Sequence, residues 1–187
     1  MGFPKTIVIT VALIACTRPV RIEKMVPEIF DRNVPVVASA GFVSTEFLAD
    51  ATAKPAVKRA KLGPLEVAAF QAAVATSIRQ SGLFTTVAAT PDAASHQLDV
   101  RVVRLLYQPG SVQLTVNWRL TALGTGQVLA EKLLTNSNGL TRIGGSSLYS
   151  RNTPTQLLVE GAVRENISMA LAEIHRALAA TERRVAP

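Results

Sequence analysis

The strictest pattern in this sequence is an alternation of apolar and polar side chains that runs without a break from residue 112 to residue 122. Successive side chains of a β-strand point to opposite faces of the sheet, so an alternation of this length predicts a half-buried antiparallel strand. Trp118 falls on the apolar side and is expected to lie in the core. Pro109 and Gly110 before the segment, and the Gly-Thr-Gly sequence at 124–126 after it, are typical of turns.

Three more strands are predicted around this one. Residues 97–107 alternate, and apolar residues fall on both sides toward the far end, as in a strand that is covered on both faces. Residues 127–135 complete a three-stranded meander. Residues 34–42 are β-branched or small and predict a first strand, with Pro35 at its start or at a sheet edge. Residues 136–154 are rich in Gly, Ser and Asn and are expected to form a long functional or mobile loop.

Two helices complete the prediction. Pro64 opens the first at a position that proline favours, and Gly82 ends it in the left-handed conformation that commonly stops helices. Its apolar residues recur at steps of three and four and form one stripe. The second helix runs from Pro154 to about Arg183. The order of strand, helix, three strands and helix predicts an α+β fold: a two-layer sandwich of a four-stranded, mainly antiparallel sheet with both helices on one face.

The N-terminus has the parts of a secretory signal. Lys5 precedes an apolar run at 6–15, which is shorter than the roughly 20 residues that a membrane-spanning helix needs. The run ends in Leu-Ile-Ala before Cys16, which resembles the lipobox of bacterial lipoproteins, where a thioether lipid joins the cysteine and the signal is then removed. The resemblance implies three parts: a lipoprotein signal peptide at 1–15, a lipidated N-terminus and tether at 16–33, and a single α+β domain at 34–187.

Lipidation of Cys16 would anchor the chain to a cell membrane on its periplasmic side. Two or more acyl chains are needed, since one alone binds membranes only marginally. Cys16 is the only cysteine, so no internal disulfide can form. Thr17 occupies the position that governs sorting in enteric-type bacteria; it is not Asp, so the resemblance favours the outer membrane. The alternative is that residues 6–16 form a buried strand with Cys16 in the core.

Two polar segments flank the predicted first strand. Residues 17–33 alternate charges with prolines and are expected to form the tether, with the option of a short docked stretch near 26–30. The connection at 47–63 carries a basic cluster, Lys54, Lys58, Arg59 and Lys61, which is either a solvated loop or a contact with lipid phosphates or an acidic partner. The net charge of +7 also suits nucleic acid, but the export signal argues against that partner.

No catalytic set, cofactor motif or metal-ligand set is recognisable. His96 and His175 are predicted to be surface or half-buried histidines, and their spacing does not suit a metal site. Three glutamates, Glu131, Glu160 and Glu165, are expected to be solvated. We therefore expect no catalytic, cofactor-binding or metal-binding residues.

With these elements in place, the chain resembles a group of proteobacterial lipoproteins to which no function is assigned. The resemblance rests on the segments FQAAV (70–74), SGLF (81–84), QLDV (97–100), VNWRL (116–120), GQVL (126–129) and EGAVRENI (160–167). At fold level the layout is also similar to accessory lipoproteins of envelope transport, which include the lipopolysaccharide-assembly lipoprotein and the auxiliary lipoproteins of lipid-trafficking ABC transporters. These motifs support a fold, and fold alone does not fix function.

Three functions stay open at this point. The first is a non-enzymatic accessory protein, anchored through Cys16, that docks onto an envelope transport or assembly complex. The second is a carrier that binds lipid or a small ligand between the helices and the sheet. The third is a hydrolase, which would require His96 to lie beside a serine and a buried carboxylate.

Overall fold

The computed structural model describes residues 19–28, 38–47, 65–108, 111–139 and 155–185. The elements are α1 (Ile22–Met25), β1 (Ala38–Phe47), α2 (Val67–Ser81), β2 (Phe84–Val87), a 3-10 turn (Pro91–Ala93), β3 (His96–Gln108), β4 (Ser111–Ala122), β5 (Gln127–Gly139) and α3 (Thr155–Val185). The strands form a five-stranded mixed sheet in the order β2-β1-β3-β4-β5. The α+β class is therefore confirmed, and β3, β4 and β5 form the predicted antiparallel meander.

The prediction of four mainly antiparallel strands and two helices is wrong in detail. The extra strand, β2, has only four residues and follows closely after Gly82, which ends α2 in the left-handed conformation at φ 69°. Because α2 returns the chain to the end of the sheet where β1 starts, β2 runs parallel to β1. β3 also pairs in parallel with β1, on its other side. The third helix is the single-turn α1.

β5 is longer than predicted. The strand continues to Gly139, so the first part of the predicted loop at 136–154 belongs to the sheet; residues 140–154 lie outside the described residues. Asn136 and Asn138 continue the inward face of β5 and are both buried. Their polarity hides the alternation, because an inward-facing position usually carries an apolar side chain.

The core lies between the sheet and the helices. Trp118 is 1% exposed, as predicted, and Phe70 of α2 meets Phe47 of β1 edge to face with ring centroids 5.3 Å apart. The apolar stripes of α2 and α3 supply much of the remaining core: Ala73, Val74, Ile78, Leu158, Val159, Ala162, Val163, Ile167, Ala170, Leu171, Ile174 and Leu178. Together with the inward side chains of the sheet, these residues form one buried apolar cluster.

Part of the segment predicted as a tether packs onto this core. Val20, Met25 and Val26 are buried, and α1 contacts both α2 and α3. The docked stretch therefore starts before the 26–30 region that the sequence suggested. The apolar residues of this segment alternate with charged ones, and that alternation conceals the buried face. Residues 16–18 and 29–33 of the predicted tether lie outside the described residues.

Different strands, helices and turns lie at the two ends of the sheet. At one end the close of β3 pairs with the start of β4 (Tyr107 with Val112), and Val112 pairs with Asn138 near the close of β5. Asn138 in turn bonds to Leu158 near the start of α3. We call this the Tyr107 end. The opposite, or turn end, carries the β4–β5 turn at 123–126, roughly 40 Å away along β5 at about 3.3 Å per residue.

Gly161 allows α3 to approach β5. A Cβ atom at this position would collide with the side-chain amide of Asn138. Alanine normally stabilises a helix interior by about 1 kcal/mol relative to glycine. Here we expect Gly161→Ala to destabilise the fold by about 1 kcal/mol, because the collision outweighs that gain. Urea denaturation tests this, with Gly124→Ala as the control, since a Cβ at Gly124 meets nothing within 4 Å. A more stable Gly161→Ala protein would contradict the close approach.

Candidate functional site

The predicted lipidation site and the predicted basic cluster lie outside the described residues. These are Cys16 and the residues Lys54, Lys58, Arg59 and Lys61. The flanking residues are described, however. Phe47 closes β1 beside Val102 of β3, and the backbone of Leu65 is hydrogen-bonded to the hydroxyl of Tyr107. The two flanks of the connection that holds the cluster therefore lie toward the Tyr107 end.

The most elaborate polar contact near this end joins the N-terminal segment to α3. Arg21 donates three hydrogen bonds to Glu160: from its backbone N–H to Oε1 at 2.7 Å, from Nε to Oε1 at 3.2 Å, and from the second guanidinium nitrogen to Oε2 at 3.0 Å. Gln156 donates a fourth to Oε1 at 2.8 Å. The Glu160 side chain is 3% exposed. The prediction that Glu160 is solvated is wrong, because its partner is 139 residues away in sequence.

The charges of this pair depend on one another. Burial opposes ionisation of Glu160, but the hydrogen bonds from Arg21 and Gln156 outweigh it and lower the pKa of the carboxyl. The hydrogen bonds to Glu160 in turn raise the pKa of Arg21. The pair is therefore ionised at neutral pH and fixes residue 21 to the first turns of α3.

Replacing Arg21 should lower the stability of the fold, because it leaves the buried Glu160 carboxylate without its charged partner. The Arg21 side chain is 45% exposed and the Glu160 side chain is buried, so Arg21→Ala leaves the carboxylate with only Gln156 and the backbone N–H as donors. We expect a loss of stability at least twice that of the control. The control is Arg101→Ala. Arg101 pairs with Glu46 at 2.8 Å, but both side chains are at least half exposed, so its loss should cost less than about 1 kcal/mol. Equal losses in urea denaturation would contradict the account.

The pKa of Glu160 also predicts a pH dependence. A carboxyl whose pKa is lower in the folded protein stabilises the fold above its unfolded pKa of about 4.3, and that stability is lost as the pH falls through the folded value. The difference in unfolding free energy between wild type and Glu160→Gln should therefore shrink steadily on acidification below about pH 5. A difference that is constant from neutral to acid pH would show that the carboxylate charge contributes nothing.

Beyond Glu160, α3 is tied to β5 by a buried network of asparagines. Asn166 is fully buried, accepts from Trp118 Nε1 at 2.9 Å, and donates to Asn136 Oδ1 at 2.9 Å and to the Leu134 carbonyl at 3.2 Å. Asn136 donates to the Ala162 carbonyl at 2.9 Å. Sequence reasoning missed this network, because Asn136 and Asn138 are polar at inward positions and their partners on α3 are at least 20 residues away in sequence. The network fixes the register of α3 on the sheet.

Ser95 and His96 are the described residues that most resemble a catalytic pair. Ser95 Oγ lies 2.9 Å from His96 Nδ1 and also donates to the Ala40 carbonyl at 2.9 Å. Because the Ser95 hydroxyl donates its proton to the Ala40 carbonyl, it accepts a hydrogen bond from His96. A nucleophilic serine must instead donate its proton to the histidine. Burial lowers the pKa of His96. Within the described ranges no carboxylate is hydrogen-bonded to His96.

The sheet face opposite the helices carries a shallow polar depression of about 120 Å³. Its lining residues are Ser44, Glu46, Asp99, Val100, Arg101, Asn117, Arg119 and Glu131. Pairing across the strands sets Arg119 between Asp99 and Glu131, so opposite charges alternate. Ligand pockets usually enclose about 300–1,000 Å³, so this depression is too small for a lipid or a cofactor.

The described residues contain no group of three or more His, Cys, Asp or Glu side chains placed to hold a metal ion. None of the helices in the same residues is long and apolar enough to cross a membrane.

Comparison with known proteins gives matches among solved structures only; no family model and no curated protein matches the chain. Protein XCC0632 from Xanthomonas campestris, described as a DUF330 protein, matches with a TM-score of 0.57 and 15% identity, over 83% of this chain and 96% of that one. A minor lipoprotein from Acinetobacter baumannii matches with a TM-score of 0.43 and 12% identity, over 76% and 94%. The first likeness shows that the two chains share a fold, and the second is too distant to support an argument.

Proposed function

We propose that this chain is a bacterial lipoprotein, anchored through Cys16 on the periplasmic side of a cell membrane, that serves as a non-enzymatic accessory subunit of an envelope transport or assembly complex. The observation that carries the proposal is the lipobox-like sequence at 13–16, followed directly by a segment that docks onto the domain through Arg21. Thr17 after the cysteine favours the outer membrane. The fold shared with XCC0632 is compatible with this role and does not specify it.

Two observations favour an accessory role over the alternatives. The Ser95–His96 pair is oriented against nucleophilic attack, which weighs against a hydrolase. The buried Trp118, Phe70 and α3 side chains pack into one apolar cluster between the layers, which weighs against a carrier that holds lipid there. A chain that is basic overall, with a net charge of +7, suits contact with anionic lipid or an acidic partner protein.

The basic cluster is the part of the sequence best suited to that contact. Lys54, Lys58, Arg59 and Lys61 lie in a connection that leaves β1 at Phe47, beside the middle of β3, and returns at Leu65, whose backbone is hydrogen-bonded to Tyr107. We propose that these four side chains meet lipid phosphates or an acidic surface of the partner. Each basic side chain near an anionic membrane surface contributes about 1 kcal/mol to binding, so four together would matter.

The test is purification of the tagged, full-length protein from its host in mild detergent, after crosslinking in the cell, with mass spectrometry of what accompanies it. A transporter subunit or envelope protein at stoichiometric amounts would support the accessory role. Phospholipid as the only companion would favour the carrier, and no companion at all would contradict docking. A variant with glutamine at all four basic positions is the matched control: loss of the partner with retention in the membrane would assign the cluster to the partner.

A further inference from the structure

The docked N-terminal segment limits how far the domain can lie from its anchor. Arg21 is fixed to Glu160 by its backbone N–H as well as by its side chain. Only the residues from 16 to 21 connect it to the proposed lipidation site. A fully extended chain covers at most about 3.6 Å per residue, so the sulfur of Cys16 lies within roughly 20 Å of Arg21. The predicted tether is therefore too short to hold the domain clear of the membrane.

The point of attachment lies close to one end of the molecule. Glu160 is five residues from the first residue of α3, Thr155, or about 8 Å along the helix axis. The start of α3 adjoins the close of β5 through the hydrogen bond from Asn138 to Leu158. The β4–β5 turn is at the far end of the strand, roughly 40 Å away. The anchored chain thus reaches the Tyr107 end and not the turn end.

The side chains exposed near this attachment suit a membrane surface. Ile22, next to Arg21, and Tyr107 are each 38% exposed. Aliphatic and tyrosine side chains exposed at the same end of a domain are typical of the layer between lipid headgroups and acyl chains. The outer sheet face differs: its acidic residues Glu46, Asp99 and Glu131 are balanced among the described residues by the basic residues Arg101, Arg104 and Arg119. That face offers anionic headgroups no net attraction, which disfavours a domain lying flat on its sheet.

We propose that the Tyr107 end is a membrane-facing surface, which the docked segment at 19–28 holds against the headgroups of a phospholipid bilayer while the β4–β5 turn points away. This orientation rests on the proposed lipidation of Cys16. It assigns the turn end and the outer sheet face to the side of the protein that a partner from the periplasm would approach.

Fluorescence quenching in vesicles tests the orientation. The purified, lipidated full-length protein carries one introduced thiol, at Thr155→Cys for the Tyr107 end or at Gly124→Cys for the turn end. Cys16, once lipidated, does not compete for a maleimide fluorophore. Each protein is inserted into phosphatidylethanolamine–phosphatidylglycerol vesicles that contain a lipid with a nitroxide on its headgroup. Co-sedimentation with the vesicles is measured on the same samples.

We expect both proteins to co-sediment and the label at 155 to be quenched several-fold more than the label at 124. In a third protein, a linker of about 20 Gly and Ser residues is inserted between Thr17 and Arg18, and the domain is unchanged. The two ends of such a linker lie roughly 25 Å apart on average. In that protein the label at 155 should lose most of its quenching. Equal quenching at both positions, or stronger quenching at 124, overturns the orientation and leaves the anchor intact. Failure to co-sediment, with Cys16 open to maleimide, overturns the proposed anchor and the orientation together.

Discussion

Cys16→Ser is expected to abolish lipid attachment completely. A serine hydroxyl does not replace the thiol in forming the thioether, and removal of the signal in lipoproteins follows that step. Cells that express the variant should therefore contain an uncut precursor that incorporates no labelled fatty acid. Gel mobility, fatty-acid labelling and membrane fractionation measure the three consequences.

The matched control for this variant is Thr17→Ser, which leaves the lipobox-like sequence intact. It should be labelled, cut and recovered with membranes like the wild type. Unchanged labelling and size in Cys16→Ser would show that residues 6–16 are not a lipoprotein signal. The alternative of a buried strand with Cys16 in the core would then move ahead.

Asn166→Leu is expected to destabilise the fold by about 4 kcal/mol. It leaves the Trp118 indole N–H and the Asn136 side-chain oxygen Oδ1 buried without this partner, at about 1–3 kcal/mol each, and it also removes the donor to the Leu134 carbonyl. Since small domains are stable by only about 5–15 kcal/mol, part of the variant should be unfolded at physiological temperature. The single tryptophan, Trp118, is buried and reports unfolding directly by its fluorescence in urea.

The same substitution on the other sheet face is the control for Asn166→Leu. Asn117 is bonded to Glu131 at 3.2 Å in an exposed position, so Asn117→Leu should change stability by less than about 0.5 kcal/mol. Adding Trp118→Phe to Asn166→Leu removes the orphaned indole donor, so the double variant should lose less than the sum of the two single losses. Additive losses, followed by circular dichroism, would show that the two side chains are not coupled.

The sequence predicts the elements whose polarity and geometry agree. β4 alternates cleanly and packs Trp118 inward, and the stripe of α2 ends at Gly82, as the periodicity indicates. The prediction from sequence fails where polar side chains are buried by partners that are distant in the sequence. Asn136 and Asn138 suggest a loop because no local signal shows that α3 returns to bond them. Glu160 suggests a solvated position for the same reason.

The order of strands in the sheet also could not be predicted from the sequence pattern. β2 is too short to show a period, and nothing local distinguishes a strand that pairs in parallel with β1 from a stretch that merely follows a helix. The docked segment at 19–28 is a third case. Its prolines and charges indicate an extended tether, whereas Met25 is fully buried against the domain. Only the tertiary contact between Arg21 and Glu160 reveals its role.

The most direct test of the account is the intact mass of the mature protein, purified from membranes, together with sequencing of its N-terminal peptide. We expect the mature chain to begin at Cys16 and this residue to carry the added mass of a diacylglyceryl group, with a further acyl chain on the amino group where the host adds one. A chain that begins at Met1, or one that holds Cys16 as a free thiol, would contradict the anchor and with it the membrane-facing orientation of the domain.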